Sequence, residues 1–239
     1  MKTASRWITS LVFDVATQHG QAWQTSVADL ARLPGVIFDM GGGRPFQGSI
    51  RPEMLGVHTC YFSLDIRFEA MPHVVGDIMR LPLADESVDG ILCNAVLEHV
   101  PYPQAAVNEM YRVLKSGGIV LVGVPFIYPY HDVVDYFRFS DTALKEMFRS
   151  FYSVEITPLG DYIFSTALFL TGFNFELAKR LGLLTNLLRF LLKTGATVSS
   201  KFRTKPGEMA CAVRTRRIRR RWQDSLERSP VGWYLHARK

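Results

Sequence analysis

The sequence predicts an α/β domain built on a mostly parallel sheet with flanking helices. Three stretches predict it. Val36-Ile37-Phe38-Asp39-Met40-Gly41-Gly42-Gly43 runs from apolar to acidic and then through three glycines, as a buried strand does where it ends in a tight turn. Val88 to Asn94 is nearly continuous in apolar character, which suits a parallel strand covered on both faces. Pro103 to Leu114 has helical amphipathic spacing and leads through Gly117-Gly118 into a further apolar run, Ile119 to Val124. In open sheets of this kind, ligands bind beyond the carboxyl ends of the strands, so the glycine turn is the first place to look for one.

Length and composition set the bounds. A chain of 239 residues suits one such domain with additions, and its apolar and charged content is that of a folded protein. Cys60, Cys93 and Cys211 are scattered, with no CxxC pair, which argues against a disulfide framework or structural zinc and fits a reducing compartment. Asp14 interrupts the short apolar stretch near the N-terminus, so no signal peptide is expected and the location is read as cytoplasmic. The net charge is +6, and it is uneven: Arg189 to Lys239 holds 14 of the 28 Lys and Arg but three of the 22 acids. A basic tail suits an anionic partner; a solvated helix face explains it equally well.

In chain order, Trp7 to Leu33 is predicted helical, with Val12, Val15 and Ala16, then Trp23, Val27 and Leu30, at helical spacing and a break at Gln18-His19-Gly20. Val36 to Met40 is the first strand. Tyr61 to Asp65 is the second, and Asp65 lies where an acid meets ribose hydroxyls in nucleotide-binding α/β folds; a carboxylate accepts from both. His73 to Gly76 is a short third strand, Val88 to Asn94 the fourth and Ile119 to Val124 the fifth. Ser140 is placed to cap a helix over Asp141 to Phe148, and Ser153 to Thr157 is the sixth strand. Residues 162–192 are apolar but interrupted by Glu176, Lys179 and Arg180, so they do not span a bilayer; they read as an inserted helical pair serving as core, dimer face or interfacial membrane helix. After a polar linker, 214–221 is a basic run, and Trp233 to Lys239 competes with Glu208 to Val213 for the last strand.

Four stretches together carry a resemblance. Ile37 to Gly43 resembles the first motif of class I S-adenosylmethionine-dependent methyltransferases, type 11-like. Gly76 to Asp89 resembles their third, Asn94-Ala95-Val96-Leu97-Glu98-His99-Val100 their fourth, and Glu109 to Gly118 the helix and turn before the fifth strand. The resemblance implies a Rossmann-like, seven-stranded sheet of order 3-2-1-4-5-7-6, and S-adenosyl-L-methionine as cofactor. It divides the chain into a helical cap (1–35), the cofactor-binding core (36–160), an apolar helical insertion with linker (161–207) and a basic segment ending in the last strand (208–239). It assigns Asp39, Gly41, Gly42 and Gly43 to the methionine end of the cofactor, Asp65 to the ribose, Ile66, Asp77 and Ile78 to the adenine, and Asn94 to the sulfur side. A dinucleotide cofactor is disfavoured, because Phe46 stands where the third glycine of that fingerprint would be.

Beyond the fifth strand, the pattern Pro125-Phe126-x-Tyr128-Pro129-x-His131-Asp132, then Asp135-Tyr136-x-Arg138-Phe139, resembles a bacterial branch of these enzymes that accompanies glycan biosynthesis. An alcohol acceptor needs a base, and His131 and His99 lie near strand carboxyl ends; His131 is favoured because Asp132 and Asp135 stand close to orient it. Arg138 either holds an acidic group on the acceptor or pairs with one of those acids. Without a third spaced acid, Asp132 and Asp135 do not make a metal site, and no metal is expected. The function expected is O-methylation of a small molecule or glycan, including a lipid-linked acceptor at the inner face of the membrane through 162–192 and 214–221. A homodimer with solvated arginines is the competing use of those segments. An RNA methyltransferase and a non-catalytic cofactor-binding scaffold are the alternatives. Nucleic acid is disfavoured because no stacking motif accompanies the basic run.

Overall fold

The computed structural model of the chain describes residues 14–160, 165 and 230–239. Trp7 to Phe13, the apolar insertion, the basic run and the competing strand Glu208 to Val213 lie outside the described residues. The chain divides into two units. One is Met1–Gln18 with Gly160–Val231, most of it outside the described residues; the other, His19–Leu159 with Gly232–Lys239, carries the sheet. Among the described residues no helix is long and apolar enough to cross a membrane.

Seven strands form one sheet: β1 (Gly35–Met40), β2 (Thr59–Asp65), β3 (Val74–Val75), β4 (Val88–Asn94), β5 (Leu114–Pro125), β6 (Ser153–Leu159) and β7 (Gly232–Arg238). Their order is β3-β2-β1-β4-β5-β7-β6, as expected. β1 to β5 pair in parallel, and β7 runs antiparallel to both β5 and β6. β7 takes the place expected for Trp233 to Lys239. Among the described residues, helices run over α1 (Asp14–Ala31), α2 (Pro103–Val113) and α3 (Asp141–Met147).

Alternation along the strands sorts the core into two faces. Ile37, Leu92 and Leu121 bury with Trp23, Val27, Leu30 and Ala31 of α1. Their neighbours Phe38, Ile91, Cys93, Val120 and Val122 bury on the other face, with Ala106, Val107 and Met110 of α2 and Leu144 of α3. Gly90 is needed for the first layer, since a Cβ there would stand 2.6 Å from Leu30 Cδ1. Ser140 caps α3 as predicted, its hydroxyl accepting the Ala143 N–H at 3.2 Å.

Three local expectations are corrected. α1 runs unbroken through Gln18-His19-Gly20. A glycine inside a helix costs about 1 kcal/mol against alanine, and the apolar stripe from Trp23 to Ala31 that docks on the sheet outweighs it. Gly117-Gly118 does not end the second helix: α2 stops at Val113, and the glycines lie within β5, where Gly117 N–H donates to Lys239 O at the end of the sheet. β3 is two residues long, because the His73 ring accepts the Ser63 N–H at 3.0 Å where a longer ladder would continue.

Candidate active site

The carboxyl ends of β1 and β4 open into a cleft of about 420 Å³, lined by Asp39, Gly41, Gly42, Gly43 and Asn94 from the strand ends and by Arg67, Glu69 and Ala70 after β2. That volume suits a nucleoside-sized ligand. Gly41 turns the chain at φ 71, and a Cβ there would stand 2.4 Å from Val96 Cγ2, so the loop lies directly on the turn after β4. Between β1 and β2 the described backbone has one 3-10 turn, Pro52–Met54, and no α-helix. No α-helix therefore opens directly after the glycines.

Asp39 points to the α1 face of the sheet and is buried. Burial pushes its carboxyl up to about 6, against the lowering effect of the Tyr61 hydroxyl, which donates to it at 3.1 Å. Asp65 is equally buried, beside Gly43, and accepts from the Arg67 backbone N–H at 2.9 Å and from the Arg67 guanidinium at 3.2 and 3.3 Å. Ile66 is exposed next to it. Asp77 and Ile78 stand apart from the cleft lining: Asp77 closes a turn by accepting the Met79 N–H at 2.8 Å, and Ile78 is buried in the core. Arg67, Glu69 and Ala70 were missed in the sequence; their signal is position alone, directly after the strand that ends in Asp65.

A second group of side chains lies beyond β4 and β5. Ala95 leaves β4 at φ 55, and a 3-10 turn, Leu97–His99, follows. The Glu98 carbonyl accepts from the Tyr136 and Phe137 N–H groups at 2.7 and 3.2 Å, fastening the loop after β5 onto this turn. His99 and His131 are thereby brought together, ring centroids 5.0 Å apart. Their Nε2 atoms lie 3.8 and 3.9 Å from Glu98 Oε1. Glu98 is 1% exposed and neither carboxylate oxygen has a hydrogen-bond partner; burial pushes its carboxyl upward. Sequence reasoning passed over Glu98, although its place beside His99 past a strand carboxyl end was the available signal.

The acid that meets His131 is Asp135, whose Oδ2 lies 3.1 Å from Nδ1. Asp132, the other acid expected to orient the ring, instead accepts the Val133 N–H at 2.6 Å and is exposed. Asp135 also pairs with Arg138 through both guanidinium nitrogens, which holds its carboxyl well below the usual range. Arg138 donates further to Tyr128 O at 2.9 Å and to Phe137 O at 2.7 Å, and to Pro129 O. Of its two readings, the guanidinium takes the loop ion pair. The Arg67 guanidinium is raised first by its Asp65 hydrogen bonds.

Residues 49–122 match the methyltransferase domain family. Over that stretch, 74 of its 239 residues, the chain is similar to methyltransferase domains. An uncharacterized methyltransferase of Mycobacterium leprae is 29% identical over 129 residues, 49% of this chain and 47% of that protein. A demethylmenaquinone methyltransferase of Streptomyces griseus is 38% identical over 116 residues, 43% of this chain and 50% of that protein. The chain thus spans about half the length of the curated relatives it matches. Among solved structures, a SAM-dependent methyltransferase from Archaeoglobus fulgidus superposes with a TM-score of 0.56 at 14% identity, covering 91% of this chain and 92% of that one, a likeness of fold.

Proposed function

We propose that the protein transfers the methyl group of S-adenosylmethionine to a hydroxyl oxygen of a small-molecule or glycan acceptor. The observation that carries the proposal is the contact of Gly41, on the floor of the cleft, with Val96, on the turn that leads directly into Glu98 and His99, with His131 brought to the same group from the loop after β5. In this reading Asp39 and Gly41 to Gly43 face the methionine end, Asp65 the ribose and Asn94 the sulfur, and the adenine extends beyond the cleft lining past Ile66 to the Asp77 side chain and the Ile78 backbone. The acceptor oxygen attacks the methyl carbon in line as the carbon–sulfur bond breaks. The bond's electron pair stays on sulfur, leaving a neutral thioether, and the hydroxyl proton passes to His131 Nε2. Glu98 stabilises the resulting imidazolium, and Asp135, clamped by Arg138, holds the ring in place. Exposed Tyr130 and Tyr136 offer flat apolar faces with polar rims, which suits a sugar. The apolar stretch 162–192 and the basic run 214–221 are the sequence support for a lipid-linked acceptor at a membrane face.

The test is mass spectrometry of cell extracts incubated with the protein and isotope-labelled cofactor. Label on a hydroxyl of a saccharide or small molecule is expected. Label confined to nitrogen, carbon or RNA overturns O-methylation. No transfer despite tight S-adenosylhomocysteine binding leaves a scaffold.

Two binding predictions arise here. Asp65→Ala should weaken S-adenosylhomocysteine by about 1–3 kcal/mol, since ribose hydroxyls lose a charged acceptor. The lower end is expected, because Arg67 already satisfies the carboxylate in the free protein. Calorimetry that finds unchanged affinity would move the ribose elsewhere. Asp39 gives a pH dependence. Its carboxyl sits near 6 in the free protein, and the cationic methionine end favours the ionised form, so bound Asp39 titrates lower. Affinity for S-adenosylmethionine should therefore rise with pH through about 6 and level off above it, by about tenfold between pH 5 and 7. Asp39→Asn should bind more weakly with that slope removed; a wild-type profile that is already flat would place the methionine end away from Asp39.

A further inference from the structure

The group beyond β4 and β5 holds more acceptors than donors. His99 Nδ1 faces the Val134 carbonyl, and His131 Nδ1 lies 3.1 Å from the Asp135 carboxylate. A carbonyl and a carboxylate only accept, so in each neutral ring the proton sits on Nδ1 and Nε2 keeps a lone pair. Both Nε2 atoms turn toward Glu98, whose two buried oxygens have no partner. Two lone pairs and a buried carboxyl group without a hydrogen-bond partner thus converge, and one cation among them would satisfy all three. One ligand atom from each of the three residues lies within 4.8 Å of the others.

We infer that Glu98, His99 and His131 bind a divalent transition-metal ion, with zinc as the type. Two imidazoles and one carboxylate suit zinc, iron(II), cobalt or nickel, whereas magnesium and calcium prefer all-oxygen sites. Bond lengths of about 2.0–2.2 Å put neighbouring ligand atoms about 3.0–3.5 Å apart. The separations of 3.8 and 3.9 Å from Glu98 therefore close by about half an ångström, a movement within reach of a loop side chain such as His131. The outer partners are those that orient metal-binding imidazoles: a backbone carbonyl on one ring and a carboxylate on the other. The carboxylate is itself fixed by Arg138. Three protein ligands leave positions open, and an acceptor hydroxyl taken there would have its pKa lowered. That consequence rests on the O-methyltransfer reading; the binding does not. A ring nitrogen holding the ion is not also a base, so zinc-loaded and zinc-free protein should differ in the pH profile of turnover.

The experiment uses untagged full-length protein, stripped with a chelator and dialysed. Zinc chloride is titrated by calorimetry and cobalt(II) by visible absorption, with S-adenosylhomocysteine titrated on the same samples. One zinc per chain and ligand-field bands from cobalt are expected. Asp135→Asn should weaken zinc by about 10–100-fold, and His131→Ala and Glu98→Gln by at least about tenfold, while circular dichroism and S-adenosylhomocysteine affinity hold. The absence of stoichiometric binding overturns the inference, as does equal binding by the His99→Ala/His131→Ala double variant. Cofactor binding without zinc binding removes the ion and leaves the functional reading; zinc binding without cofactor binding does the reverse.

Discussion

Turnover of His131→Ala is expected to fall by about 10²–10⁴-fold, while S-adenosylhomocysteine affinity stays within about twofold of wild type. The expectation follows from where the ring sits. It hangs from the loop after β5, its Nδ1 held by Asp135 and its edge against Tyr128, with ring centroids 5.2 Å apart, and its Nε2 is turned to Glu98. On the proposed reading, removing it takes away the group that handles the acceptor's proton, by itself or through a bound ion. The cleft lining does not include it, so cofactor binding should be spared. Rates are measured with labelled cofactor on the acceptor found by mass spectrometry. His99→Ala is the informative control: its ring also approaches Glu98, but from the 3-10 turn. A large loss in His99→Ala with near-normal His131→Ala would reverse the assignment. Loss in neither would mean that positioning alone carries the reaction.

Phe148→Ala is expected to destabilise the protein by about 3–5 kcal/mol, as for other fully buried aromatic truncations. Phe148 follows the last turn of α3 and is completely buried. It packs on Phe151, centroids 5.2 Å apart, and Phe151 meets Tyr111 of α2 edge-on at 5.1 Å. Tyr111 in turn lies under the Lys239 ammonium, 4.7 Å from the ring centroid. This aromatic chain fixes α3 to α2 and to the end of β7, and so anchors the far end of the loop that carries His131, Asp135 and Arg138. The cavity left by the ring adds to the lost transfer energy because the surrounding strands cannot collapse into it. At about 2–4 °C per kcal/mol for a chain of this size, the melting temperature should drop by about 10 °C. Urea unfolding checks the free energy. A loss under about 1 kcal/mol would mean that this layer repacks freely.

The sequence by itself determined the sheet and the place of the glycine turn. Val36 to Met40, Tyr61 to Asp65 and Val88 to Asn94 were legible as strands because a doubly covered parallel strand must be apolar along its length, and the glycine turn because only glycine takes its φ so close to Val96. Ser140 was legible as a cap because capping is a bond between near neighbours. The tertiary structure alone decided how the acceptor side is built. Asp132 and Asp135 looked equivalent beside His131, but the backbone path gives the ring to Asp135 and leaves Asp132 on the Val133 N–H. The glycine at position 20 read as a break, but packing of the following turns on the sheet carries the helix through it. Arg138 acquired its partners from a loop whose folding no periodicity encodes. Glu98 stood beside His99 past a strand carboxyl end, but that its carboxyl lacks a donor depends on everything packed around it. Local patterns record how a segment meets water and its own neighbours. Whether a buried carboxylate is paired is settled by residues more than thirty positions away.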